Sequence, residues 1–123
     1  MTKSLKLTFL VHAIVSLVLG AVLLIIPGRF LEALGWAPID PIISRILGAA
    51  LLALAFGSYR GWQARERAQV IVLVQMEAIF TLLACAGLLR HLLLPGRWPV
   101  VPWLAFAVFA LFAIAWLYAL VKR

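Results

Sequence analysis

VIVLVQMEAIFTLLACAGLL, residues 70–89, is a run of apolar side chains about 20 residues long, the length a helix needs to cross a bilayer. It contains one acid, Glu77, with hydrocarbon side chains before and after it. A carboxyl group at such a position is costly and normally faces the interior of a helix bundle or a wet cavity, so Glu77 is the first residue to ask about function. Gln75, two residues earlier, falls on a different face of the same helix and suits a subunit contact.

Three more runs of this kind surround it. Hydrophobic residues make up 67% of the 123-residue chain and charged residues 12%, against roughly 45–50% and ~25% in a soluble domain. That length holds about four spans with short connections and no sizeable extramembrane domain. The spacing predicts spans over residues 7–26, 42–59, 69–90 and 102–121, arranged as an all-α, integral membrane four-helix antiparallel bundle forming a single domain over residues 1–123. Lys3 and Lys6 ahead of the first run resemble a signal peptide. The run outlasts the ~7–15 residues of a signal h-region, though, and no A-x-A-like site precedes Pro27, so it is read as a retained first span.

The connections are as informative as the spans. Pro27-Gly28 ends the first span and reads as a turn. Residues 29–37 are too short to span, with Phe30, Leu31, Leu34 and Trp36 among charges and Gly35 placed to close a helix, and read as an interfacial amphipathic segment. Pro41 suits the first turn of the second span. Residues 60–67, RGWQARER, make a short basic link into a tight helical hairpin, and Pro95, Gly96, Pro99 and Pro102 punctuate the approach to the fourth span.

Lys and Arg counts set the orientation. The side holding both termini carries Lys3, Lys6, Arg60, Arg65, Arg67, Lys122 and Arg123, and the other Arg29, Arg90 and Arg97, with Arg45 near it. The expected location is the cell membrane, multi-pass, with both termini cytoplasmic. Tyr59, Trp62, Trp116 and Tyr118 would form the inner aromatic belt, and Trp36, Trp98 and Trp103 the outer. The formal charge of +7 is scattered over span ends rather than gathered on an aromatic-interleaved face, which points to anionic lipid headgroups and away from nucleic acid. Cys85, the single cysteine, excludes an intramolecular disulfide and a CxxC redox or metal motif.

Within the spans, Thr8, His12, Ser16 and Gly20 recur every four residues and lay a polar, small stripe along one face of the first helix. In the second span Ala49, Ala53 and Gly57 follow a small-xxx-small pattern, with Arg45 at the head of that row and Gly48 beside it; these are the helix-packing candidates. Phe106, Phe109 and Phe112 give the fourth span an aromatic edge suited to packing or lipid contact. With Lys6, Arg60 and Arg67 set at one level, Glu77 lies level with Ser16 and His12 lies ~6 Å nearer the cytoplasm. His12, Ser16, Glu77 and Thr81 then form a candidate intramembrane polar site. Arg45 lies ~7–8 Å farther out than Glu77 and leans away, which disfavours an ion pair between them. An acid so placed is held neutral unless His12 or a bound cation supplies the opposite charge. The alternative is a clasp of interhelical hydrogen bonds, each worth ~0.6 kcal/mol.

The segment from Pro27 to Gly57, PGRFLEALGWAPIDPIISRILGAALLALAFG, resembles the small four-helix bacterial membrane proteins grouped as DoxX-like. They share a Pro after span one, a short amphipathic loop ending near a Gly, and an Arg followed by a Gly early in span two, here Pro27, Gly35, Arg45 and Gly48. The redox association of some members would have only Cys85 to draw on. The small multidrug exporters are similar in size but carry an acid in span one, where this chain has His12.

No HExxH, phosphate-binding Gly loop or Ser/His/Asp set is present, so no enzymatic activity and no metal site is expected. The favoured expectation is a structural or accessory subunit that packs against partner helices or itself, as a homo-oligomer or within a larger membrane complex. Two other readings remain: a proton- or cation-coupled small-solute transporter using Glu77 and His12, and a pigment- or quinone-associated subunit of an energy-converting complex. His12 and His91, ~25 Å apart along the membrane normal in this alignment, do not suit a bis-His haem within one chain.

Overall fold

The computed structural model describes residues 1–36, 40–96 and 99–122. Every regular element among them is helical: α1 (Lys3–Ile25), α2 (Pro27–Ala33), α3 (Pro41–Gln63), α4 (Ile71–Leu92) and α5 (Val100–Val121), plus a single 3₁₀ turn at Arg67–Gln69. Helices α1, α3, α4 and α5 are each long and apolar enough to cross a membrane. Ala37 at the end of the predicted interfacial segment, Arg97 and Trp98 on the predicted outer side and Arg123 on the inner lie outside the described residues. The chain divides into two compact units, Met1–Arg65 and Glu66–Arg123.

The helices overrun or undershoot the apolar stretches by up to a turn, because hydrogen bonding rather than hydropathy sets their ends. Thr2 starts α1 well ahead of the apolar run, its hydroxyl accepting from the Leu5 N–H at 3.3 Å. Asp40 caps α3 by accepting from the N–H groups of Ile42 and Ile43 at 2.8 and 3.2 Å, with Pro41 at the first position, where its missing N–H costs nothing. At its other end α3 continues to Gln63, whose side-chain amide donates to the Tyr59 hydroxyl at 2.8 Å. Helix α4 starts late, at Ile71, because Glu66 and Gln69 form a capping box around the 3₁₀ turn.

In the first unit α1 and α3 run in opposite directions. Contacts fix their register: the Phe9 ring lies against Gly61, His12 reaches Ser58, Gly20 meets Gly48, and Arg45 reaches Leu24. The crossing is closest at the two glycines. A Cβ on Gly48 would stand 2.6 Å from the Leu24 nitrogen and 2.8 Å from the Gly20 oxygen, so only hydrogen fits. The buried row of α3 is therefore Gly48, Leu51, Ala55, Ser58 and Gly61. Of the packing row read from sequence, Ala49 and Ala53 face away from α1 and Gly57 is half-buried.

Pro27-Gly28 does not make the expected turn. Pro27 is instead the first residue of α2, the helical position that tolerates proline. Having no N–H for the Leu23 carbonyl, it ends α1, and the Arg45 guanidinium donates to the next carbonyl, Leu24, at 2.9 Å. Helix α2 closes in a Schellman motif: Gly35, at φ +70°, donates its N–H to the Glu32 carbonyl, and Trp36 donates to Leu31, both at 2.9 Å.

In the second unit α4 and α5 also run in opposite directions. The Phe80 and Phe109 rings meet edge to face, with centroids 5.8 Å apart at 73°. The Arg67 guanidinium donates to the carbonyls of Leu120, at 3.1 Å, and Lys122, which close α5. Arginine thus serves the C-terminal carbonyls of the neighbouring helix in both units, groups that a helix leaves without an internal donor. Val74, Ala78, Ala113, Trp116 and Ala119 are buried. Trp116, expected in the inner aromatic belt, is fully buried and presents nothing to a headgroup layer, because it falls on the row of Ala113 and Ala119.

Candidate functional site

The candidate residues lie in both units, His12 and Ser16 on α1 and Glu77 and Thr81 on α4. On α1 the buried face is Leu5, Phe9, His12, Ala13, Ser16, Gly20 and Leu23, so most of the four-residue polar stripe turns inward. Its first member, Thr8, is half-buried and donates to the Ser4 carbonyl at 2.9 Å.

His12 is 3% exposed. Its Nδ1 lies 2.8 Å from Ser58 Oγ on α3, and its Nε2 lies 3.3 Å from Ser16 Oγ one turn along α1. A neutral imidazole carries one N–H and one lone pair, and two hydroxyls can serve both. Ser58, 1% exposed, was not singled out from sequence. Its signal was available: placing Gly48 opposite Gly20 brings the residues near 56 opposite His12, and Ser58 is the polar residue there. The level alignment of Lys6 with Arg60 sets α3 about one turn, ~6 Å, from the observed register, because arginine side chains do not mark a single plane.

On α4, Glu77 is 2% exposed and Thr81 fully buried, one turn apart on one face with Val74 and Ala78. The Thr81 hydroxyl donates to the backbone carbonyls of Glu77, at 2.7 Å, and Ala78, at 3.2 Å. Such back-bonding within a helix satisfies the hydroxyl locally. Gln75 and Cys85 lie off this face, Gln75 exposed and Cys85 half-buried.

No family model matches this chain, and no curated protein or solved structure matches it.

Chemically, the first unit holds a nucleophile and base at hydrogen-bond distance, His12 and Ser58, but both are almost fully covered and the acids of that unit, Glu32 and Asp40, stand at its other end. Use of His12 as an axial ligand would require one ring nitrogen to leave its serine. Among the described residues no group of three His, Cys, Asp or Glu side chains is placed to hold a metal ion.

Proposed function

We propose that this chain is a non-enzymatic, multi-pass protein of the cell membrane, a four-helix antiparallel bundle of the DoxX-like type with both termini cytoplasmic. Its role is that of a structural or accessory subunit, packing against partner helices or further copies of itself. One observation carries the reading: the buried polar side chains His12 and Ser16 of α1 and Ser58 of α3 form one cluster inside the helix pair, while the middle of the outward surface is apolar. Ile42, Ile46 and Phe56, for example, are each more than 60% exposed around the small residues Ala49 and Ala53. Water penalises such a surface, whereas lipid and neighbouring helices accept it. A buried Ser–His pair that no substrate reaches supports a structural role over catalysis.

Cysteine crosslinking tests it. Ala53→Cys in a Cys85→Ser background should give a disulfide-linked dimer, or a crosslink to a co-purifying partner, in native membranes. A chain that stays monomeric by light scattering and uncrosslinked there would defeat the proposal.

The buried Glu77 favours a second reading, a proton- or cation-coupled transporter, since intramembrane acids mark ion and solute pathways. Adding small cations or hydrophobic amines to the purified protein would then release protons from wild type and not from Glu77→Gln. Under the accessory reading neither protein releases any.

A further inference from the structure

We infer that the end of the first unit where α1 begins and α3 ends is a binding surface for anionic phospholipid headgroups, centred on Lys3 and Lys6 and flanked by Arg60, Tyr59 and Trp62. The inference rests on the membrane reading above and adds to it which lipid is retained and by which side chains.

Charge distribution is the first ground. With Phe9 against Gly61 and His12 against Ser58, Lys6 falls level with position 64 and Arg60 with Leu10. Lys3, Lys6, Arg60 and Arg65 therefore gather at this end, and the unit's two acids, Glu32 and Asp40, lie at the other beside Arg29 and Arg45. The next acid along the chain, Glu66, belongs to the second unit, where its carboxylate caps the turn at Gln69. Lys6 and Arg60 are ~6 Å apart along the helix axis, about the depth of one headgroup layer.

The second ground is what these cations touch. Among the described residues, the side chains of Lys3 and Lys6 make no hydrogen bond or ion pair. They sit three residues apart on one helix, where like charges repel unless an anion joins them. Two basic groups of the second unit are engaged by contrast: Arg67 holds the carbonyls of Leu120 and Lys122, and the Lys122 ammonium donates to the Tyr118 hydroxyl at 2.9 Å, which raises its pKa. Arg60 gives only a long bond, 3.4 Å, to the Gln63 side chain.

The third ground is the aromatic flank. Tyr59 and Trp62 are 45% and 38% exposed, with ring centroids 6.0 Å apart. Tyrosine and tryptophan, with an apolar body and a polar tip, settle at headgroup level, and these two stand in the last turns of α3, at the end of the unit that carries the lysines.

The test uses the full chain in mixed micelles of phosphatidylglycerol and phosphatidylcholine, with the co-purifying lipid counted by native mass spectrometry. Wild type should retain phosphatidylglycerol preferentially, and Lys3→Gln/Lys6→Gln should bind it about thirty-fold more weakly. Lys3→Arg/Lys6→Arg should keep the preference, as should Arg29→Gln at the opposite end. Equal retention of the two lipids by wild type, or unchanged preference in the glutamine variant, overturns the inference. Alkaline washing of wild type in pure phosphatidylcholine vesicles separates the two levels of failure. Protein that stays integrated without a lipid preference overturns this inference alone, and protein released by the wash overturns the membrane reading with it.

Discussion

The two units solve the same problem, holding two long apolar helices side by side, with different chemistry. Met1–Arg65 brings its backbones together at glycines and adds an imidazole between two hydroxyls. Glu66–Arg123 buries the Trp116 ring with Ala78, Ala113 and Ala119, sets Phe80 edge-on to Phe109, and its polar Thr81 bonds to its own helix. For helices in lipid, the setting proposed above, burial alone does not draw them together, so close packing and hydrogen bonds must. The first unit relies on both at fixed positions, and the second seats one large side chain, Trp116, among alanines and, among the described residues, has no glycine at its contact that a Cβ would push apart. Substitutions should therefore be far less forgiving in the first.

The largest expected effect is at the glycine crossing. In Gly48→Ala the new methyl would meet backbone atoms, Leu24 nitrogen and Gly20 oxygen, which cannot rotate away. Separating the helices should cost about 3 kcal/mol, the upper part of the range for overpacking. Unfolding by SDS in mixed micelles reads the loss directly. If Gly48→Ala is as stable as wild type, the close crossing is not what holds this pair.

His12→Ala comes next. It leaves the buried Ser58 and Ser16 hydroxyls to find other partners and should cost about 2 kcal/mol. A double-mutant cycle with Ser58→Ala separates the hydrogen bond from the packing, with an expected coupling of ~0.6 kcal/mol and no more than ~1.7. Additive losses would mean that the two side chains stabilise the unit independently and that the clasp is no clasp.

Much of this contrast could be read before any coordinates. The four apolar runs, Pro41 as a helix start, Gly35 as a helix end and the inward turn of His12, Ser16 and Gly20 follow from residue chemistry that acts locally. Register did not, because it depends on which small residues meet. Two small rows lie side by side on α3, Ala49-Ala53-Gly57 and Gly48-Ala55-Gly61 with Ser58 among the latter, and sequence spacing fits both. The row containing Gly48 and Gly61 faces α1, where a backbone oxygen and the Phe9 ring leave room for no Cβ, the ring standing 2.5–2.7 Å from one built on Gly61. Pro27-Gly28 was ambiguous for a similar reason: proline ends one helix and begins the next with equal ease, and only the conformation of the residues after it decides between a turn and a new helix.

The smallest effect sharpens the comparison because its sign is opposite. Gly87, in α4, is exposed, and a Cβ built on it meets nothing within 4 Å. Replacing it by alanine removes the conformational freedom that glycine loses on folding, at no steric cost, and should stabilise the second unit by roughly 0.5–1 kcal/mol. The same chemical change, one methyl on a helical glycine, is thus expected to weaken the first unit and strengthen the second, so the pair Gly48→Ala and Gly87→Ala makes an internally controlled experiment. Helix propensity acts alike on both, and only the neighbours of the added methyl differ. If Gly87→Ala also destabilises, as measured by the same SDS unfolding, then its open face is covered by a helix that approaches as closely as α1 approaches α3, and α4 rather than α3 becomes the first place to look for a partner.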